Sequence, residues 1–182
     1  YLAGLIARER DWLPAALDDP EAALASVLAN VPASVPDGVA TAAPDGLSAR
    51  LRQAKRQVAL IVALADLAGA WPLETVTAAL TDFADAATAA ALRAMTAAEI
   101  ARGTLPGQGP EDVATAGGMV VLAMGKMGGH ELNYSSDIDL ICLFDETRYD
   151  RADYPAARAA FVRITRRMTA LLSDQTDQGY VF

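Results

Sequence analysis

"MGKMGGHELNYSSDIDLICLF", residues Met124 to Phe144, sets glycines, two serines and two aspartates spaced one residue apart directly against a run of apolar strand formers. Side chains alternate along a strand, so a strand over "DIDLICLF", Asp137 to Phe144, places Asp137 and Asp139 on one side and Ile138 and Leu140 on the other. Two like charges held that close in a poorly solvated place raise each other's pKa unless a cation or a shared proton relieves them. A divalent metal is the natural relief. Mg²⁺, with Mn²⁺ as an alternative, takes one or two carboxylates plus substrate phosphate oxygens and keeps its remaining waters, which suits a D-x-D pair at the end of a sheet strand. Local charge agrees: Glu111 to Asp153 holds nine acidic residues against Lys126, Arg148 and Arg151.

The glycines supply the other half of such a site. "MVVLA", Met119 to Ala123, reads as the preceding strand. Gly125, Gly128 and Gly129 after it permit positive φ and close approach of backbone to a phosphate, with N–H groups able to form an anion cradle. Lys126 would add a point charge, and Ser135 and Ser136 hydroxyls. Taken alone the glycines are as well explained by a tight turn, and no G-x-x-x-x-G-K-[ST] spacing is present. The glycine turn and the paired aspartates together are the stronger signal.

Working outward, a Gly and Pro cluster from Arg102 to Asp112 divides a helical region, 1–103, from the strand-bearing region, 113–182. Leu51 to Ala70 is apolar nearly all round between Val58 and Ala65 and reads as the central helix of a bundle. A second helix follows Trp71 and Pro72 and ends near Gly103. Shorter helices interrupted by Pro14, Pro20, Pro32, Pro36 and Pro44 are expected before them. A last helix starts near Asp153, its expected N-cap, with Arg158, Arg163, Arg166 and Arg167 read as a solvated face. The fold class is α+β, a helical bundle followed by a small mixed sheet with flanking helices.

Composition limits the function. The 182 residues are 53% hydrophobic, enough for a sizeable core, and carry a formal net charge of -8. That balance argues against a nucleic-acid partner, which needs clustered Lys and Arg. No apolar stretch is long enough to span a membrane and no signal-peptide order opens the chain, so a cytoplasmic location is expected. The single cysteine, Cys142, lies in an apolar run and reads as a buried, inert thiol; His130, the one histidine, reads as a turn residue, and Glu131 as support for the glycine turn. The chain begins at Tyr1 and stops at Phe182 in "GYVF", an apolar run expected to pack beside the D-x-D strand, which suggests a piece of a longer protein truncated at its C-terminus.

A strand, a small-residue turn, about ten residues and then D-h-D-h on the next strand (h, apolar) resembles the nucleotidyltransferase superfamily that includes DNA polymerase β. More closely, "GKMGGHELNYSSDIDL" resembles the G-K-L-G-G-x-E-L-x-x-x-S-D-[IL]-D-L signature of bifunctional glutamine synthetase adenylyltransferase/adenylyl-removing enzymes, with further likeness in "RQVALIVALADLAGAWPLETVTAALTDFADAA" and "LLSDQTDQGYVF". The resemblance implies that Asp137 and Asp139 bind the metal, and that Gly125, Lys126, Gly128, Gly129, Ser135 and Ser136 contact an adenine nucleotide, ADP or ATP, with phosphate as co-substrate. It implies glutamine synthetase and a PII-type signal protein as partners. "ADLAG", "SSDIDLI" and "DQGYVF" resemble the adenylyl-removing half, which takes AMP off a tyrosine by phosphorolysis and releases ADP; Tyr134 before S-S-D resembles the attaching half instead. The family's third acidic residue would lie beyond Phe182. Another class of function is a non-catalytic helical docking module, from which a catalytic site would differ by binding metal and nucleotide.

Overall fold

The computed structural model describes residues 1–33 and 44–182. Seven helices and two strands follow in the order α1 (Leu2–Arg8), α2 (Leu13–Asp18), α3 (Pro20–Ala33), α4 (Pro44–Leu67), α5 (Leu73–Ala101), β1 (Met119–Ala123), α6 (Gly125–Gly128), β2 (Leu140–Phe144) and α7 (Tyr154–Ser173). Pro14 lies in the first turn of α2, where its missing N–H costs nothing, and Pro20 and Pro44 open α3 and α4. Pro36 lies outside the described residues. Among these residues no helix is long and apolar enough to cross a membrane.

The 29 residues of α5 span ~44 Å, and their buried stripe includes Ala79, Ala84, Ala87, Ala90 and Ala91. Small side chains let neighbouring helices approach closely, and α3, α4 and α7 all pack on α5. The centre of the bundle is therefore shared by α4 and α5 rather than held by α4 alone. One continuous apolar core runs from Val27 through the Val58, Ile61 and Val62 face of α4 and the alanines of α5 to Ile164 and Met168 of α7 and on to Val181. The Gly and Pro segment that divides the two regions is packed down: Leu105 is buried, and Arg148 reaches Asp112 at 3.2 Å.

The sheet is an antiparallel β1–β2 pair, in register from Met119↔Phe144 to Ala123↔Leu140. Of the expected mixed sheet, only this antiparallel part occurs among the described residues. Its inner face, Met119, Val121, Leu140, Cys142 and Phe144, joins the core. Phe144 stacks on Phe161 of α7 with ring centroids 4.6 Å apart.

Three expectations are corrected. "GYVF" forms no strand beside β2; Val181 and Phe182 donate their N–H groups to Leu172 O at the end of α7, and Val181 is fully buried. Two side chains of α4 decide this. Buried Arg52 donates Nε to Gly179 O (2.7 Å) and Nη2 to Asp174 O (2.5 Å), and Lys55 Nζ donates to Val181 O (2.5 Å). Burial, with the positive Arg52 beside it, pushes the Lys55 ammonium down to about 8. These bonds hold the tail against α4 and the end of α7.

Arg163 and Arg167 are not simply solvated. Arg163 donates Nε to the carboxylate of Glu99 on α5 at 2.9 Å, and Arg167 Nη1 lies 3.5 Å from it, while Arg158 and Arg166 are exposed as expected. Glu99 is fully buried and also accepts from Thr104 Oγ1 at 2.7 Å and Arg102 Nη1 at 3.0 Å. Burial alone would raise its pKa, but these hydrogen bonds and the charges of Arg163 and Arg102 outweigh that and hold the carboxyl below its usual value. Glu99→Gln should lower unfolding free energy by about 1–3 kcal/mol, read from urea melts at pH 7. The loss should begin to shrink as pH falls past the ordinary glutamate pKa, where the unfolded-state carboxyl protonates, and should vanish once pH passes below the lowered folded-state value, where the buried carboxylate protonates as well.

Asp153, finally, occupies the N-cap position of α7 but its side chain makes no capping bond.

Candidate functional site

The site is built where β1 ends. Met124 continues the strand, and its N–H donates to Asp139 O at 2.9 Å, extending the ladder one step past Ala123↔Leu140. The chain then turns through α6. Gly125 has φ +55°, a left-handed conformation that a side chain disfavours, and a Cβ placed there would lie 3.8 Å from Asp139 Oδ2. The glycine turn and the second aspartate thus meet in space.

The other glycines serve different ends. A Cβ on Gly128 would lie 2.5 Å from Ala123 O, so this glycine exists to let the turn press on the end of β1. At Gly129 a Cβ would meet Gly125 O at 3.5 Å, an ordinary contact. The turn closes with two bonds, His130 N–H to Met127 O (3.1 Å) and Glu131 N–H to Lys126 O (2.8 Å), which is a Schellman ending with His130 at φ +59° where glycine is usual. His130 therefore has the turn role expected of it, with Nε2 3.5 Å from Asp82 Oδ1 on α5. Glu131 supports the turn through its backbone N–H.

Between this turn and β2 runs a loop shaped by Asn133. Its Oδ1 accepts from Ser136 Oγ (2.7 Å) and Ser135 N–H (3.3 Å), and its carbonyl accepts from Ser136 N–H (3.2 Å). Ser136 is thereby engaged in holding the loop, and Ser135 and Lys126 are exposed. Asn133 escaped the sequence reading, although an asparagine with serines two and three residues on, as in Asn-Tyr-Ser-Ser, is a turn-forming combination.

Asp137 and Asp139 lie in irregular chain ahead of β2, which begins only at Leu140. The alternation of exposure holds nonetheless: Asp137, Asp139, Ile141 and Leu143 are exposed, while Ile138, Leu140, Cys142 and Phe144 turn inward. Both carboxylates share one face, as expected, but that face is open rather than poorly solvated. Water screens their repulsion, and they need no cation to exist. Neither takes part in an ion pair or side-chain hydrogen bond among the described residues, so their oxygens are available acceptors. Cross-strand neighbours Val120 and Leu122 continue the same face, each about half exposed. Cys142 points inward and burial raises its thiol, as expected for an inert position.

Among the described residues no group of three or more His, Cys, Asp or Glu side chains is placed to hold a metal. Two exposed carboxylates fit an ion that fills its other positions with water and phosphate oxygens, as Mg²⁺ does. The arrangement is suited to holding a cation beside a turn whose leading N–H groups have no intrahelical acceptor.

The profile of the glutamate-ammonia ligase adenylyltransferase family matches residues 1–182. Among curated relatives, a bifunctional glutamine synthetase adenylyltransferase/adenylyl-removing enzyme of Bradyrhizobium sp. (strain ORS 278) is 42% identical over 183 residues, covering 100% of this chain. Its counterparts in Caulobacter vibrioides and Bradyrhizobium diazoefficiens are 40% identical over 100% and 43% identical over 90% of the chain. The chain spans 16 to 18% of the length of these relatives.

Proposed function

The chain belongs to the glutamate-ammonia ligase adenylyltransferase family, and from that premise we propose that it carries the nucleotidyl-transfer site that removes AMP from an adenylylated tyrosine of glutamine synthetase. The observation that carries this reading is the meeting of Gly125 with Asp139 beside a second carboxylate, Asp137, on one open face. Glutamine synthetase is then the partner, as the relatives' names state for those proteins.

In phosphorolysis an oxygen of inorganic phosphate attacks the α-phosphorus in line, the phosphorus–oxygen bond to tyrosine breaks, and ADP forms as the phenolate leaves and takes up a proton. A phenol with pKa near 10 leaves readily enough that little acid–base help is needed, and His130 is left to its role in the turn. Asp137 and Asp139 would hold Mg²⁺, which when bound neutralises charge on phosphoryl oxygens. Gly125 keeps the turn free of side chain where the α-phosphoryl group must approach, and the leading N–H groups of α6 donate to its oxygens. The asparagine-shaped loop sets where Asp137 leaves the turn.

The reading is tested in the full-length polypeptide that contains this chain. Glutamine synthetase carrying labelled AMP, incubated with enzyme, Mg²⁺ and phosphate, should yield labelled ADP, and Asp137→Ala should stop it. If Asp137→Ala instead leaves that release intact and stops incorporation of AMP from ATP, the site belongs to the attaching reaction and the reading fails.

A further inference from the structure

The segment from His130 to Asp139 has no regular structure of its own, yet its anchors lie on helices fifty or more residues upstream. Leu132 is buried against Ala84 and Met127, and its N–H donates to Thr81 Oγ1 of α5 at 3.1 Å inside the core. Thr81 is itself fully buried and donates its O–H to Thr77 O at 2.8 Å, which fixes the hydroxyl so that a lone pair faces Leu132. Two residues on, Tyr134 O–H donates to Asp66 Oδ2 at 3.0 Å, on the last turn of α4. Leu132 and Ile138 pack inward at the two ends of the loop, and the stretch between them does not. Asn133, Tyr134, Ser135 and Ser136 roof a cavity of about 490 Å³ whose floor includes Leu80 and Phe83.

We propose that Thr81 and the Tyr134–Asp66 pair are positioning groups for the carboxylate pair: α5 and α4 hold the loop at two points, and the asparagine turn from Asn133 to Ser136 transmits that placement to Asp137 and Asp139. The inference deepens the proposed function and rests on it. A loop spanning a cavity samples many conformations unless hydrogen bonds restrict it, and two metal-binding carboxylates are useful only when held in one arrangement. The two tethers differ in strength. Thr81→Val keeps the volume but leaves the Leu132 N–H buried without an acceptor, whereas the Tyr134–Asp66 bond is exposed to water and worth less.

Amide hydrogen exchange by NMR and Mn²⁺ titration by electron paramagnetic resonance on the 182-residue chain test this. Thr81→Val should speed exchange across residues 132–139 by about tenfold or more and weaken Mn²⁺ binding, while Thr81→Ser, which restores the hydroxyl, should stay within about twofold of wild type. Tyr134→Phe and Asp66→Ala should speed exchange over 133–137 by about two- to fivefold, and Asp66→Asn, which keeps an acceptor oxygen, should not. Exchange that rises equally in β1 and α7 would show a merely structural loss and overturn the proposal, as would Thr81→Ser behaving like Thr81→Val. A wild-type chain that binds no Mn²⁺ while Thr81→Val still loosens the loop overturns the metal-site reading; Mn²⁺ bound equally by every variant overturns the positioning role alone.

Discussion

Gly128→Val is expected to destabilise the chain by about 3 kcal/mol, the largest stability loss of any single substitution in the glycine turn. The added Cβ would meet Ala123 O at 2.5 Å and Ala123 C at 3.1 Å, and both are backbone atoms of β1 that cannot swing aside. Relief would require α6 to lift from the strand end, which would also pull Met127 out of its buried place beside Ala84 and Leu132. Gly129→Ala is the control. Its Cβ meets nothing closer than 3.5 Å and its φ is -83°, so a change within about 0.5 kcal/mol is expected. Gly125→Ala falls between, at about 1 kcal/mol, because alanine must adopt φ +55°. Urea melts of the three variants should rank in that order.

Asp139→Asn is expected to abolish nucleotidyl transfer in the full-length polypeptide, by on the order of 10³-fold in kcat, while leaving the melting curve within about 0.5 kcal/mol of wild type. The side chain is exposed, and among the described residues it has no ion-pair partner to lose. Its backbone carbonyl, which accepts from Met124 N–H, is untouched by the substitution. A fold intact and an activity lost would assign the carboxylate to chemistry. Loss of both together would assign it to the architecture of the strand end.

Much of this arrangement is legible in the sequence. The period of α5 and the apolar stripe of α7 mark both helices to within a residue or two, and "MVVLA" coincides with β1. Alternation also places Asp137 and Asp139 on a common face. What alternation cannot give is where pairing begins, since a strand exists only where a partner backbone lies alongside; Met124 turns away into α6, so the ladder stops at Asp139. "GYVF" reads equally well as a strand or as a packed tail, and the deciding groups, Arg52 and Lys55, lie more than 120 residues away on α4. Arg163 looks solvated until Glu99, buried on another helix, is brought to it by folding. Thr81 and Asp66 carry no local signal at all; their relevance comes from what α5 and α4 place beside the loop.

Whether Asp137 and Asp139 form a divalent-cation site at the glycine turn is decided by titrating Mn²⁺ into the 182-residue chain and following it by electron paramagnetic resonance. One saturable site is expected for the wild type, weakened by about tenfold or more in Asp139→Asn and in Asp137→Asn, with unchanged circular dichroism in both. Equal Mn²⁺ affinity in wild type and both variants would show that the two carboxylates hold no cation.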